Sequence, residues 1–195
     1  MRVFRIPFST NVERIALALG HKGVEVEWVD VDPADRSPVV AVSGQELVPV
    51  LVTDDGQVFT DSPRILRWIE ETFPEPPLLP ADAHDRAEIE IFCDWFNRVW
   101  KRPPNLIAEG RGTPELVAEL EGSMDLFEAL LHDRDYLFGE FSLADVTAFP
   151  FLKYALGLEE DDDEEFHRIL HGHLPLPGHP RVAEWIRRVD KHARA

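Results

Sequence analysis

A single cysteine, Cys93, in a chain of 195 residues cannot close an intramolecular disulfide or form a CxxC redox pair. Any thiol chemistry must therefore use a thiol that arrives with a ligand. Basic residues are also scarce, with 20 lysines and arginines against 37 aspartates and glutamates and a formal charge of −17. That balance repels phosphate backbones and anionic lipid surfaces, so neither nucleic acid nor a membrane is expected as a partner. No apolar run approaches the roughly 20 residues of a membrane span. The stretch MRVFRIPF at 1–8 lacks the apolar core of a signal peptide, and the expectation is a cytoplasmic protein. Apolar material is plentiful: 44% hydrophobic content supplies a packed core for one domain or two small ones.

Residues 1–75 alternate between strand and helix patterns. Val3 to Phe8 reads as a short strand, and Val12, Ile15, Ala16 and Leu19 form one helical stripe ended by Gly20 or Gly23. VEVEWVDVD at 24–32 alternates like a half-exposed strand, a polar Pro-containing stretch follows, and LVPVLV at 47–52 is a fully apolar strand. Asp55-Gly56 fits a hairpin turn into QVFTD. A helix over 62–73 then starts with Ser62 as N-cap and Pro63 at its first position. The order is β-α-β-(α)-β-β-α. Pro49 interrupts an apolar strand, where a trans proline removes a ladder donor, so a cis Val48–Pro49 bond is the expected device.

PEPPLLPADA at 74–83 has no helical or strand period and reads as a linker. Beyond it the patterns are helical: a long amphipathic helix through AHDRAEIEIFCDWFNRVWKRP, another through PELVAELEGSMDLFEALLHD, a more apolar one in SLADVTAFPFLKYAL and a last one in PRVAEWIRRVDKHAR. Ser142-Leu-Ala-Asp145 fits the S-x-x-D capping pattern ahead of an apolar helix and is assigned to folding. The expected domains are residues 1–75, a linker at 76–84 and an all-α domain at 85–195.

Four features in order resemble the cytosolic glutathione transferase superfamily: Val48-Pro49-Val50-Leu51, Thr60-Asp61-Ser62 before a helix, the proline-rich linker, and DYLFGEFSLADVTAFPFL at 135–152. The resemblance implies an α/β thioredoxin-like N-terminal domain that binds the thiol and an all-α C-terminal helical bundle that binds the second substrate. It also implies glutathione or another low-molecular-weight thiol as co-substrate, a small electrophile and a homodimer. The backbone of Val48, presented beside Pro49, would pair with the cysteinyl part of glutathione. Ser62 would hold the γ-glutamyl carboxylate and Asp61 would approach its amino group. Leu47 occupies a position where the family often carries glutamine or lysine, and Gln45 would substitute if the loop bulges.

Conjugation needs a thiolate, and an ordinary thiol has a pKa of about 8.5. Lowering it by two units takes roughly 2.7 kcal/mol of preferential anion stabilisation. Families of this fold place a tyrosine, serine or cysteine near the end of the first strand for this purpose. The two tyrosines, Tyr136 and Tyr154, fall in the helical half and Cys93 falls within a long helix. Ser9, Thr10 and Asn11 remain. Thr10-Asn-Val-Glu13 matches the capping box T-x-x-E, so Thr10 is expected to cap the helix. Ser9 then ranks first for the thiol and Asn11 next. A pure helix start, with no catalytic role, is the competing reading of all three. Arg5 and Arg14 are read as solvated surface charges.

Phe96 and Trp100, at spacing i, i+4, with Lys101 beside them, are candidates to line an electrophile pocket between the domains; an aromatic core is the alternative. His167, His171 and His173 follow the acidic run EEDDDEE at 159–165 but lack an HExxH pattern, so the run is read as a solvated loop and no metal is expected. Isomerase or dehalogenase chemistry with the same thiol, and a non-catalytic ligand- or protein-binding module, stay open.

Overall fold

The computed structural model describes all residues 1–195. They divide into two compact units, Met1–Leu78 with His192–Ala195, and Leu79–Lys191.

The first unit contains β1 (Arg2–Arg5), α1 (Thr10–Lys22), β2 (Glu27–Asp30), α2 (Ser37–Ser43), β3 (Val50–Val52), β4 (Val58–Thr60) and α3 (Ser62–Thr72). The strands form one sheet in the order β2-β1-β3-β4. β1 runs parallel to β2, with α1 as the crossover between them, and antiparallel to β3, which pairs antiparallel with β4. The strands are shorter than their apolar patterns. β1 stops at Arg5, just before Pro7, and β3 starts only at Val50, after Pro49, because proline has no N–H for the ladder. The Val48–Pro49 bond is cis, as the sequence suggested, and Glu75–Pro76 is cis as well.

Side chains alternate across the sheet. Phe4, Val50 and Val52 join Val31 and Val39 in one buried cluster. Val3 and Leu51, paired in register, are fully buried. α1 ends at Gly23, whose φ of 65° lets its N–H reach the carbonyls of Gly20 and Leu19. Residues 192–195 lie along α1: Ala195 N–H donates to the Ala16 carbonyl at 3.0 Å, Trp28 Nε1 donates to the Ala195 carbonyl at 2.9 Å, and Arg194 Nη2 reaches Glu13 Oε1 at 2.9 Å. Gly20 permits this approach, since a Cβ there would stand 2.2 Å from the Ala193 oxygen.

The second unit contains α4 (Ala83–Trp95), a π-helical turn (Phe96–Trp100), α5 (Arg102–Ala108), α6 (Pro114–Leu130), α7 (Leu143–Leu152), α8 (Glu165–His173) and α9 (Pro180–Val189). The sequence predicted one uninterrupted helix through residue 103, but the π turn widens the spiral. Pro103 and Pro104 then sit in the first turn of α5, where their missing N–H groups cost nothing. α7 is buried from Ala144 to Leu152. Its start is the reciprocal capping box the sequence indicated: Ser142 Oγ accepts from the backbone of the first turn, and Asp145 Oδ2 accepts from Ser142 N–H at 2.9 Å.

Candidate functional site

The N-terminus of α1 differs from the sequence expectation in which residue caps it. Ser9 is the N-cap, with extended backbone at φ −61° and ψ 112°, and its Oγ accepts from Val12 N–H at 3.4 Å. Thr10 is the first helical residue and is buried. Glu13 does not reach back to complete a T-x-x-E box because its carboxylate is engaged by Arg194. The preceding Phe8 takes a positive φ of 59°, which turns the chain out of β1 so that Ser9 stands extended ahead of the helix. Capping uses one lone pair of Ser9 Oγ, and the hydroxyl hydrogen stays available to donate.

α3 begins in a parallel manner. Asp61 occupies the cap position with φ 69° and ψ 118°, is exposed, and makes no side-chain cap bond. Backbone at that φ is costly for a residue with a Cβ and is held by its surroundings. Ser62 is therefore not the N-cap predicted from the sequence but the first helical residue, and it is only 3% exposed. Its hydroxyl turns sideways, donating to Asn11 Oδ1 at 3.1 Å. Arg14 Nη1 donates to the same Asn11 oxygen at 3.2 Å and to Ser62 Oγ at 3.3 Å. Arg14 is fully buried, which corrects its reading as a solvated charge. Its position explains this: it lies one turn before Ala18 on the packed side of α1, so helical spacing was the available signal.

Val48 and Pro49 sit in the loop leading into β3, with Pro49 buried and Val48 half-buried. Gln45 braces that loop from within: its Nε2 donates to the Leu47 carbonyl at 2.8 Å and its Oε1 accepts from Leu47 N–H at 2.5 Å. The Leu47 side chain is 71% exposed. Asn11, Arg14 and Ser62 are thus joined directly, Ser9 lies on the same helix start as Asn11, and Gln45 is tied to the loop that carries Val48 and Pro49.

Of the candidates in the helical unit, Phe96 and Trp100 are buried and Lys101 is half-buried. Phe96 and Trp100 stack at 4.4 Å with 15° between their planes, are buried, and pack against Phe127 and Phe151. The π turn rotates both rings inward, and Trp100 Nε1 finds its acceptor in Ser123 Oγ at 2.8 Å. Lys101 Nζ lies over the Phe151 ring at 4.8 Å. The aromatic stripe is core. Cys93 is half-buried, with Sγ 3.4 Å from Thr147 Oγ1.

The three histidines of α8 diverge to separate partners: His167 Nδ1 to Asp162 at 2.7 Å, His171 Nδ1 to the Tyr154 carbonyl at 2.9 Å, and His173 Nδ1 to Glu121 at 3.0 Å. The acidic run is not wholly solvated, because Asp162 is buried beneath His167. The strongest perturbation of a carboxyl is at Asp145, where burial pushes the pKa up to about 6 against the pull of its hydrogen-bond donors.

Residues 3–77 match the model of the glutathione S-transferase N-terminal domain and residues 86–188 that of the C-terminal domain. Glutathione S-transferase F10 of Arabidopsis thaliana is 30% identical over 171 residues, which cover 77% of this chain and 79% of that protein. FtsZ-localized protein A of Caulobacter vibrioides is 33% identical over 162 residues, covering 73% and 71%. A solved holo structure of maleyl pyruvate isomerase, a bacterial zeta-class glutathione S-transferase, matches with a TM-score of 0.72 at 25% identity, over 97% of this chain and 96% of that one.

Proposed function

Because the chain belongs to the glutathione S-transferase family, we propose that it is a transferase that activates glutathione, or a related low-molecular-weight thiol, for attack on a small hydrophobic electrophile. The bound thiol supplies the sulfur nucleophile. Ser9 donates its hydroxyl hydrogen to that sulfur, and the positive end of α1 favours the anionic form. These two effects lower the sulfur pKa toward neutrality, where the reactive form is abundant.

Val48 offers its main-chain N–H and carbonyl to the cysteinyl part of the thiol, with Pro49 shaping the loop. Ser62, at the start of α3, holds the γ-glutamyl carboxylate, and the exposed Asp61 carboxylate takes the amino group. The observation that carries the reading is the division of labour at Ser9, whose oxygen caps α1 while its hydrogen is left to donate. The protein is proposed to act in the cytoplasm as a homodimer.

The test is calorimetric titration of glutathione together with conjugation of a panel of small electrophiles, in wild type and Ser9→Ala. Binding with turnover that falls in the variant supports the proposal; absence of binding to glutathione or any related cellular thiol overturns the enzyme reading. Turnover unchanged in Ser9→Ala overturns the residue assignment. Isomerisation of a small unsaturated acid belongs in the same panel, since a relative of this chain is an isomerase.

A second reading, a non-catalytic module that docks a partner, is favoured by the exposed Leu47 beside the candidate site and by the likeness to FtsZ-localized protein A. Thiol binding without turnover of any panel member is the result expected from it.

A further inference from the structure

We propose that Arg14 is a specificity-determining positioning residue, which lets Ser62 hand its hydroxyl hydrogen to a carboxylate and so selects thiols that carry one. The inference rests on the reading of Ser62 as the γ-glutamyl anchor.

The hydrogen bonds of the cluster define the problem. A serine hydroxyl has one hydrogen, and in the structure Ser62 gives it to Asn11 Oδ1 at 3.1 Å. A carboxylate accepts only, so Ser62 can hold one as a donor only by turning that hydrogen away from Asn11. On its own, the turn would take a donor from Asn11 Oδ1, which is half-buried beside the buried Ser62, and an acceptor deprived of a donor there is costly. Arg14 Nη1 removes that cost, because it already donates to Asn11 Oδ1 at 3.2 Å and keeps doing so when the serine hydrogen leaves. It also donates to Ser62 Oγ at 3.3 Å, which polarises the hydroxyl and makes its hydrogen a better donor.

Charge acts in the same direction. The guanidinium is fully buried and touches the first residue of α3, whose N-terminus carries the positive end of the helix dipole. Two positive features meet at Ser62, and an anion arriving there is attracted by both. A neutral group in the same place gains little from either. Lysine at 14 would keep the charge, but its compact, strongly hydrated ammonium carries freely rotating hydrogens, whereas Nη1 holds two hydrogens fixed in the guanidinium plane and gives one to each oxygen.

The experiment compares two thiols by calorimetry: glutathione, and γ-aminobutyryl-cysteinylglycine, which is glutathione without the γ-glutamyl carboxylate. For Arg14→Lys the expected result is an affinity for glutathione lower by about 10-fold, the scale of one charge-assisted hydrogen bond, with the analogue changed by less than about 2-fold. On a Ser62→Ala background, Arg14→Lys should alter glutathione affinity by less than about 2-fold, since the hydroxyl it serves is gone. Parallel loss of both ligands, or no loss of glutathione, overturns the proposal in favour of a purely structural arginine.

If Arg14→Lys does not fold, the wild-type chain serves instead. The side-chain nitrogen resonances of Arg14 should shift on adding glutathione and stay in place with the analogue, and equal shifts with both overturn the proposal. Wild type that binds glutathione and the analogue equally overturns the Ser62 anchor and this inference with it, and leaves the thiol site itself standing. Wild type that binds neither overturns the reading of the thiol site and this inference with it.

Discussion

Trp185 Nε1 donates to Asp145 Oδ1 across 2.7 Å, joining the middle of α9 to the first turn of α7 in the interior of the helical unit. The same oxygen accepts from Leu137 N–H at 3.1 Å, and the other accepts from Ser142 N–H at 2.9 Å and Ser142 Oγ at 3.1 Å. Asp145 therefore joins α7, α9 and the segment before α7 through one carboxyl. Asp145→Ala leaves these buried donors facing a void and is expected to lower unfolding free energy by about 3–5 kcal/mol. Trp185→Phe removes a single donor while retaining most of the ring, and should cost about 1–3 kcal/mol. Urea denaturation of both variants distinguishes them, and an Asp145→Ala loss no larger than that of Trp185→Phe would contradict the central role of the carboxyl.

The protonation of Asp145 sets the sign of a pH effect. Burial raises its folded pKa from 3.8 to about 6, so the folded state holds this proton more tightly than the unfolded chain does. The resulting contribution is fully present below the unfolded pKa and is lost as pH rises through about 6. Stability of wild type relative to Asp145→Asn should thus decline between about pH 4 and pH 6, by an amount on the order of 3 kcal/mol, and level off above that window. Parallel stability curves for the two proteins would refute the assignment.

Ser9 carries two roles that substitution can separate. Ser9→Ala removes the oxygen that accepts from Val12 and should destabilise the fold by about 0.5–2 kcal/mol. It also removes the donor to sulfur, and kcat/KM for conjugation should fall by about 10- to 100-fold, with the pH–rate profile displaced upward. Ser9→Asp keeps a capping acceptor but offers no donor when ionised, so it should retain stability and still lose activity. Thermal melts beside pH–rate profiles test this, and full activity in Ser9→Asp would remove the hydroxyl from the mechanism.

Gly20 inverts a common rule. In an exposed helix, Gly→Ala adds roughly 0.5–1 kcal/mol of stability. Here the new Cβ would lie 2.2 Å from a main-chain oxygen of Ala193, so the helix or residues 192–195 must move. Displacement loses the bonds from Ala195 to Ala16 and from Trp28 to Ala195. Gly20→Ala is expected to destabilise by about 1–2 kcal/mol and to shift Trp28 fluorescence toward that of a more exposed indole. A stabilised variant with unchanged fluorescence would show that the close approach does not hold in solution.

Trp100→Ala should cost about 3–5 kcal/mol, as expected for an aromatic ring emptied from a core. That value, measured by denaturant unfolding, distinguishes the buried ring from a pocket wall, for which a loss under about 1 kcal/mol would be expected.

Local patterns revealed much of this molecule. Alternation and helical stripes gave the element order of the first unit, the S-x-x-D spacing gave the start of α7, and Pro49 within an apolar strand indicated its cis bond. Helix starts were harder to read. Thr10-Asn-Val-Glu13 has the letters of a capping box, yet Glu13 is drawn to Arg194, a partner 181 positions away, and the cap falls to Ser9. Local propensity favours Ser62 as a cap, whereas its hydroxyl donates to Asn11 Oδ1 and accepts from Arg14 Nη1.

By itself, the sequence determined the resemblance to the family and the α/β and all-α composition, because these follow from motif order and local periodicity, and its single cysteine means that any thiol chemistry would need a thiol from outside the chain. Only the tertiary structure decided that Arg14 is buried against Ser62 and that Phe96 and Trp100 are core. In each case the outcome depends on a neighbour distant along the chain or on a change in helical pitch. A buried charge is tolerated only where such neighbours supply its hydrogen bonds, and no short stretch of residues contains them.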